Sequence, residues 1–194
     1  MHGKQIVISV VLAATIAACS KADNTADTTS TAGASAAAAM TPPPPPALTD
    51  PNIVYILDQA NAADSARGKL AQTKGTNAEV KRFGGMMVGE HHGLRVKGQQ
   101  LATKLGVTPA APSGDQSEAQ ATTEMDALNT QAKGAAWDKA YIDYEVTYHE
   151  QVLQTATAAL AAAQNQELKD LIGAAAPVIQ KHLDMAKSIQ GKLK

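Results

Sequence analysis

Three stretches of this chain place an apolar or small residue at alternating steps of four and three, and nothing else constrains the fold as much. The first runs Val80, Gly84, Met87, His91, Leu94, Gly98, Leu101, Leu105. The second runs Ile142, Val146, His149, Leu153, Ala156, Leu160, and the third Leu168, Ile172, Ala175, Ile179, His182, Ala186, Ile189, Leu193. Such spacing keeps one stripe of a helix turned toward its neighbours over many turns, as in the seam of a packed bundle. A weaker stripe precedes them: Ile53, Leu57, Ala60, Asp64, Arg67, Ala71. Its inward polar residue is Asp64, unless a small rotation brings Ala63 in instead.

Helix punctuation agrees with four long segments. Asp50 can cap the first and Pro51 suits its opening turn; it runs to about Lys74 and stops near Gly75. The second starts after Thr76 or Asn77 and ends at Gly106, with Pro109 beyond it. The third spans about 135–163 and the fourth about 166–192, where Pro177 should kink or break it. Between the second and third lies a looser helical stretch, 116–133, with a weak apolar face. No β-branched run alternates. The expected fold is all-α: a four-helix bundle with a long crossover between its second and third long helices, the weak helix lying across the bundle end.

Each of the three strong stripes holds one histidine, out of five in the chain. In "MMVGEHHG", His91 is on the stripe, while His92 is turned about 100° further round and falls at the border or outside. Depth adds to direction. His91 and His149 lie near the midpoints of their helices, Asp64 just past the midpoint of its own, and His182 slightly past the middle. With a rise of roughly 1.5 Å per residue, all four fall within one or two turns of the bundle's equator, whichever way neighbouring helices run. Asp64, His91, His149 and His182 are therefore expected to converge on one level.

The first fifty residues read differently. "MHGKQIVISVVLAATIAACS" has a basic start, an apolar run and small residues before Cys19, which is a secretory signal, residues 1–18. "IAAC" resembles a bacterial lipobox, and the resemblance implies cleavage before Cys19 and its lipidation. As the only cysteine, Cys19 excludes an intramolecular disulfide. Residues 19–50, rich in Ala, Thr and Ser and ending in "TPPPPPALTD", have the composition of a disordered tether that stiffens at its prolines. The folded domain is 51–194. Ser20, rather than an aspartate, follows the cysteine; in a Gram-negative host this implies an outer-membrane lipoprotein facing the periplasm, anchored through Cys19. With a net charge of −1 and 3% aromatics, the chain shows no footprint for a nucleic-acid partner. Protein partners cannot be read from it.

"DSARGKLAQTKGTNAEVKRFGGMMVGEHH", "WDKAYIDYEVTYHEQVL" and "APVIQKHLDMAK" resemble the domain-of-unknown-function 4142 family, over about Asn52–Ile189. The resemblance implies an exported protein with a ferritin-like four-helix fold, and no established activity. The family's pattern falls here on Asp64, on Glu90 and His91, on Trp137, Asp138 and Tyr141 with His149, and on His182 and Leu183. Asp64 stands where the family usually has Glu, and Arg67 where it usually has an aliphatic residue, which bears on how the first helix packs.

Ferritin-like di-iron sites take Glu-x-x-His from two helices, and this chain has none. Three imidazoles and one carboxylate suit a single Zn, Cu or Fe ion. Met87, one turn before His91, and Met185, one turn after His182, would soften such a site if they turn inward; otherwise they fill the core. Glu145 is a further candidate ligand. The competing reading is a buried hydrogen-bonded cluster of histidines with Asp64 or the tyrosines. Tyr141, Tyr144 and Tyr148 follow a neighbouring stripe, as an interface or as donors to the site. Asp138 suits the positive end of its helix. No nucleophile–base set, phosphate loop or dinucleotide fingerprint appears. Three functions stay open: a metal-binding lipoprotein for storage, buffering or sensing, an envelope or stress-related interaction module without metal, and a ferritin-like redox enzyme.

Overall fold

The computed structural model describes residues 48–193. The expected signal, Cys19 and nearly all of the tether lie outside the described residues. Five helices follow in order: α1 (Asp50–Lys74), α2 (Ala78–Leu105), α3 (Ser117–Thr130), α4 (Ala135–Ala162) and α5 (Gln166–Gln190). The four long ones form the bundle, and α3 belongs to the crossover between α2 and α4. None of the described helices is long and apolar enough to cross a membrane.

Local chemistry sets the helix ends. Thr49, not Asp50, caps α1: its hydroxyl accepts from the Asn52 amide while the Asn52 side chain accepts from the Thr49 backbone, a reciprocal box that satisfies two otherwise free donors. Asp50 sits one position too late to cap. Its carboxylate instead accepts from the Gln164 and Asn165 amides at 2.8 and 3.0 Å, holding the α4–α5 turn. Asn77 and Asn165 cap α2 and α5 through their side-chain oxygens. Gly106, with φ 65°, ends α2 in a conformation that glycine adopts without strain. α5 runs unbroken through Pro177; the proline is on the exposed face, where water can satisfy the carbonyl left without a donor.

Turns of three residues join α1 to α2 and α4 to α5, so each pair is an antiparallel hairpin. The hairpins meet through α2–α5 and α1–α4, giving the ring order α1, α2, α5, α4. α1 and α2 approach closely because glycines face each other: a Cβ on Gly68 would lie 2.6 Å from the Gly84 carbonyl, and one on Gly84 would lie 2.7 Å from the Gly68 carbonyl. Asp138 has a larger role than a favourable charge at a helix start. Fully buried, it accepts from the Thr76 and Asn77 amides at 2.9 and 2.8 Å and so closes the α1–α2 turn.

The crossover departs from expectation. It leaves beside the start of α1, where the Asn52 side chain donates to the Ala110 carbonyl at 2.9 Å, and returns to the far end, where α4 begins. α3 therefore lies along the bundle against α1 and α4, not across its end. Leu128 is its one buried side chain, and the Leu128 carbonyl accepts from the Trp137 indole at 2.8 Å and from Lys74 at 2.7 Å.

The apolar core is in two parts. One, near the α1–α2 turn, gathers Phe83, Met87, Trp137, Tyr141, Ile142 and Leu183 among others. The other, at the opposite end, gathers Ile53, Val54, Ala102, Ala156, Leu168 and Ile172. Between them lies a buried polar layer: Asp64, Arg67, His91, Glu145, His149 and His182. The α4 stripe drifts before its end. Leu160 is 41% exposed while Ala159 is buried, as a 3.6-residue turn must drift from a 3.5-residue repeat.

Candidate metal centre

The seam spacing turns His91, His149 and His182 inward from α2, α4 and α5, and all three are buried. Their ring centroids are 5.0 to 5.7 Å apart. Each offers one ring nitrogen within 4.8 Å of those offered by the other two. His92, one position on, is exposed.

The outer nitrogen of each ring faces an acceptor. Asn61 donates its side-chain nitrogen to the Leu57 carbonyl at 2.6 Å, which leaves its oxygen facing His91 Nδ1 at 2.9 Å. His182 Nε2 faces a Glu90 carboxylate oxygen at 2.8 Å, and His149 Nδ1 faces the Glu145 carbonyl at 2.9 Å. An acceptor requires a hydrogen on the nitrogen it meets. In the neutral rings the inner nitrogens, His91 Nε2, His182 Nδ1 and His149 Nε2, therefore carry lone pairs. His91 Nε2 and His182 Nδ1 are 3.1 Å apart, and His149 Nε2 is buried without a hydrogen-bond partner. Two lone pairs at that distance repel unless a positive charge, a proton or a metal ion, lies between them.

Asp64 faces inward, but the four expected ligands do not form one set. Asp64 groups with Glu145 and His149, so that His149 belongs to both clusters. Its Oδ1 accepts from Arg67 Nη2 at 2.7 Å, and its Oδ2 stands 3.5 Å from His91 Nδ1 without a hydrogen bond. Arg67, 1% exposed, also donates through Nε to Glu145 at 3.3 Å. Its guanidinium lies over the rings of Tyr148 and Tyr144, at 4.0 and 4.7 Å from their centroids. Tyr144 donates to half-exposed Glu124 on α3, and Tyr141 stacks on Trp137 in the apolar core. Met87 is buried in the core beside Phe83 and Tyr141, and Met185 is half-buried against the same cluster.

The electrostatics follow from this packing. Burial pushes the Asp64 carboxyl up, but His91, Arg67 and His149 together outweigh it and hold it below its ordinary value. Burial lowers His91, against the pull of Asp64. It also lowers His182, to about 4, although Glu90 opposes it. His149 goes the other way: burial would lower it, but Glu145 and Asp64 raise it. His149 is thus the imidazole that holds a proton most readily.

These residues fit a transition-metal ion. Two nitrogens about 2.0–2.1 Å from a tetrahedral ion stand roughly 3.3–3.4 Å apart, close to the 3.1 Å between His91 and His182. Ligating imidazoles characteristically donate their other N–H to an oxygen, as all three do here. Sequence reasoning found the three imidazoles and Asp64. It missed Asn61 as the partner of His91 and Glu90 as the partner of His182. It also took Arg67 as a packing disturbance, whereas Arg67 is the cation that balances the buried carboxylates. The only sequence signal for Arg67 was its place on the first stripe beside Asp64.

No curated protein and no solved structure matches the chain. A family model, described as a domain of unknown function (DUF4142), matches residues 31–189, which takes in Asn52–Ile189 and part of the segment before it. The chain belongs to that family.

Proposed function

We propose that the bundle binds one divalent transition-metal ion, Zn, Cu or Fe, through His91 Nε2, His149 Nε2 and His182 Nδ1. The carrying observation is that all three outer nitrogens meet acceptors, so three lone pairs point inward, two of them 3.1 Å apart. Asn61, Glu90 and the Glu145 carbonyl orient the imidazoles, and Asp64 with the Glu145 carboxylate supplies negative charge beside the ion. Met87 and Met185 stay in the core. Such a site holds an ion for storage, buffering or sensing. The anchoring reading is part of the same proposal: "IAAC" supports lipidation at Cys19 and an envelope location, with the tether carrying the domain off the membrane.

The test is metal analysis of untagged protein, followed by chelator stripping and titration with Zn, Cu and Fe in turn. One ion per chain is expected. His149→Ala and His182→Ala lose it, and His92→Ala retains it. A wild type that takes up no ion at neutral pH overturns the proposal and leaves the second reading. In that reading the cluster is a polar core holding a proton, favoured by the carboxylates that raise His149.

A further inference from the structure

A cavity lies apart from the imidazoles. α1 and α4 meet far less closely than α1 and α2 do, and the side chains facing the gap, Ala60 and Ala63 on α1 with Ala156 and Ala159 on α4, are too short to fill it. The space reaches Ile172 and Ile179 of α5, and α3 lies over it as an outer wall. Its volume is about 450 Å³, within the roughly 300–1,000 Å³ of small-molecule sites. None of the three histidines lines it.

The charges around this space are one-sided. α3 contributes Glu118, Glu124 and Asp126. Among the described residues Arg67 is the only cation lining the cavity, and it is buried at the floor and committed to Asp64 and Glu145. Glu124 accepts from Tyr144 and stands 4.0 Å from Arg67. The Glu118 and Asp126 carboxylates have no ion-pair or hydrogen-bond partner among the described residues. An apolar floor under an acidic wall disfavours fatty acids and other anions, and although Gln59, Gln120 and Gln151 can serve a neutral polar end, the wall favours a positive one. It complements a molecule with an apolar body and a positive end.

We infer that this cavity binds a small amphiphilic organic cation, an alkyl- or arylammonium whose apolar body fills the alanine-lined space and whose charge lies against the α3 carboxylates. The inference is independent of whether the histidines hold a metal. Its affinity comes from apolar burial, worth roughly fourfold per methylene until the space is full. Its selectivity comes from the α3 carboxylates, Glu118 and Asp126 exposed and Glu124 half-exposed, worth about three- to tenfold together.

The test is titration of the folded, metal-free chain with octyltrimethylammonium, octanol and octanoate, each below its aggregation concentration, by calorimetry. Trp137 gives a second signal, because its indole donates to the Leu128 carbonyl on α3. The cation is expected to bind saturably at one per chain, about fivefold tighter than octanol, with octanoate weakest. Glu118→Gln with Asp126→Asn should erase the preference for the cation while leaving octanol affinity unchanged. Ala60→Leu, filling the space from α1, should weaken all three ligands, and Ala121→Phe should do the same from α3. Equal affinity for octanol and the cation overturns the inference, as does binding that never saturates. Unchanged affinity in both cavity-filling variants overturns the location.

Discussion

Arg67→Met removes the one cation of the buried layer while nearly keeping its volume. In the wild type the guanidinium is 2.7 Å from Asp64 and 3.3 Å from Glu145, and both carboxylates are fully buried. Breaking a buried pair from one side costs about 3–5 kcal/mol, because the surviving charges cannot reach water. Here two carboxylates survive, and the contacts with Tyr144 and Tyr148 are lost as well. For a domain of this size about 2–4 °C accompanies each kcal/mol, so the melting temperature should fall by about 10 °C or more at pH 7.5.

The sign of the pH dependence separates this cause from a mere packing defect. In the wild type Asp64 is held below its ordinary value, so its contribution is present above pH 3.8 and lost as pH falls through the lower folded value. Without Arg67, burial dominates and the folded value rises above the unfolded one. The variant then binds protons more readily folded than unfolded, and its deficit shrinks as pH falls toward 4. Thermal melts from pH 4.5 to 8 in chelator should show the two curves converging on the acid side. The triple change Asp64→Leu, Arg67→Met, Glu145→Leu should recover most of the loss, since apolar replacement of a whole buried network is often neutral. A single variant within about 1 kcal/mol of wild type, or a deficit independent of pH, would refute the reasoning.

A saturating ion at 100 times its dissociation constant should stabilise the domain by about 2.7 kcal/mol, read as a rise in melting temperature over the chelator-treated form. That gain should weaken by about tenfold in affinity per pH unit once pH drops below the raised value of His149, because the ion must displace its proton. His182, at about 4, adds no competition until far lower pH. Gly84→Ala should cost about 1–3 kcal/mol in urea melts, since its Cβ would meet the Gly68 carbonyl and the Ala71 Cβ, both at 2.7 Å; a neutral result would mean that α1 and α2 separate easily. Asp138→Ala should cost about 2 kcal/mol or more by leaving the Thr76 and Asn77 amides unpaired, with faster amide exchange at the α1–α2 turn as the readout.

Direction and depth were legible because both follow from helix geometry. The 4-3 stripes turned His91 inward and left His92 exposed, and the α5 stripe from Leu168 to Ile189 is buried at every position. What escaped was chemistry between helices that share no repeat. Glu90 meets His182 from a half-exposed position on α2, and no periodicity marks a residue at the edge of a seam. Asn61 precedes Asp64 by one turn but is not on the stripe. The crossover helix was placed wrongly because its single buried side chain, Leu128, gives no stripe to orient. Asp50 was misread as a cap because aspartate is the better capping residue of the two; the choice of Thr49 depends on Asn52 and on the distant α4–α5 turn.

The charge of the polar layer bears on which ion the site suits. Asp64 and Glu145 carry two buried negative charges and Arg67 one positive, and half-exposed Glu90 adds one more beside His182. Lys181, which shares Glu90, is 59% exposed, and water screens it. Leaving aside Glu124, 35% exposed and 4.0 Å from Arg67 on the α3 side, the charge of the groups around the neutral imidazoles stands at −2. A divalent ion brings it to zero, whereas without metal the same balance requires two protons. His149 accepts one readily, but His91 and His182 are pushed down by burial and by their like neighbours, so the second proton has no comfortable place. Since uncompensated charge is costly inside a protein, this balance favours a dication over a monovalent ion. It also gives Arg67 a definite part: with a hydrocarbon there, the same layer would call for three positive charges instead of two.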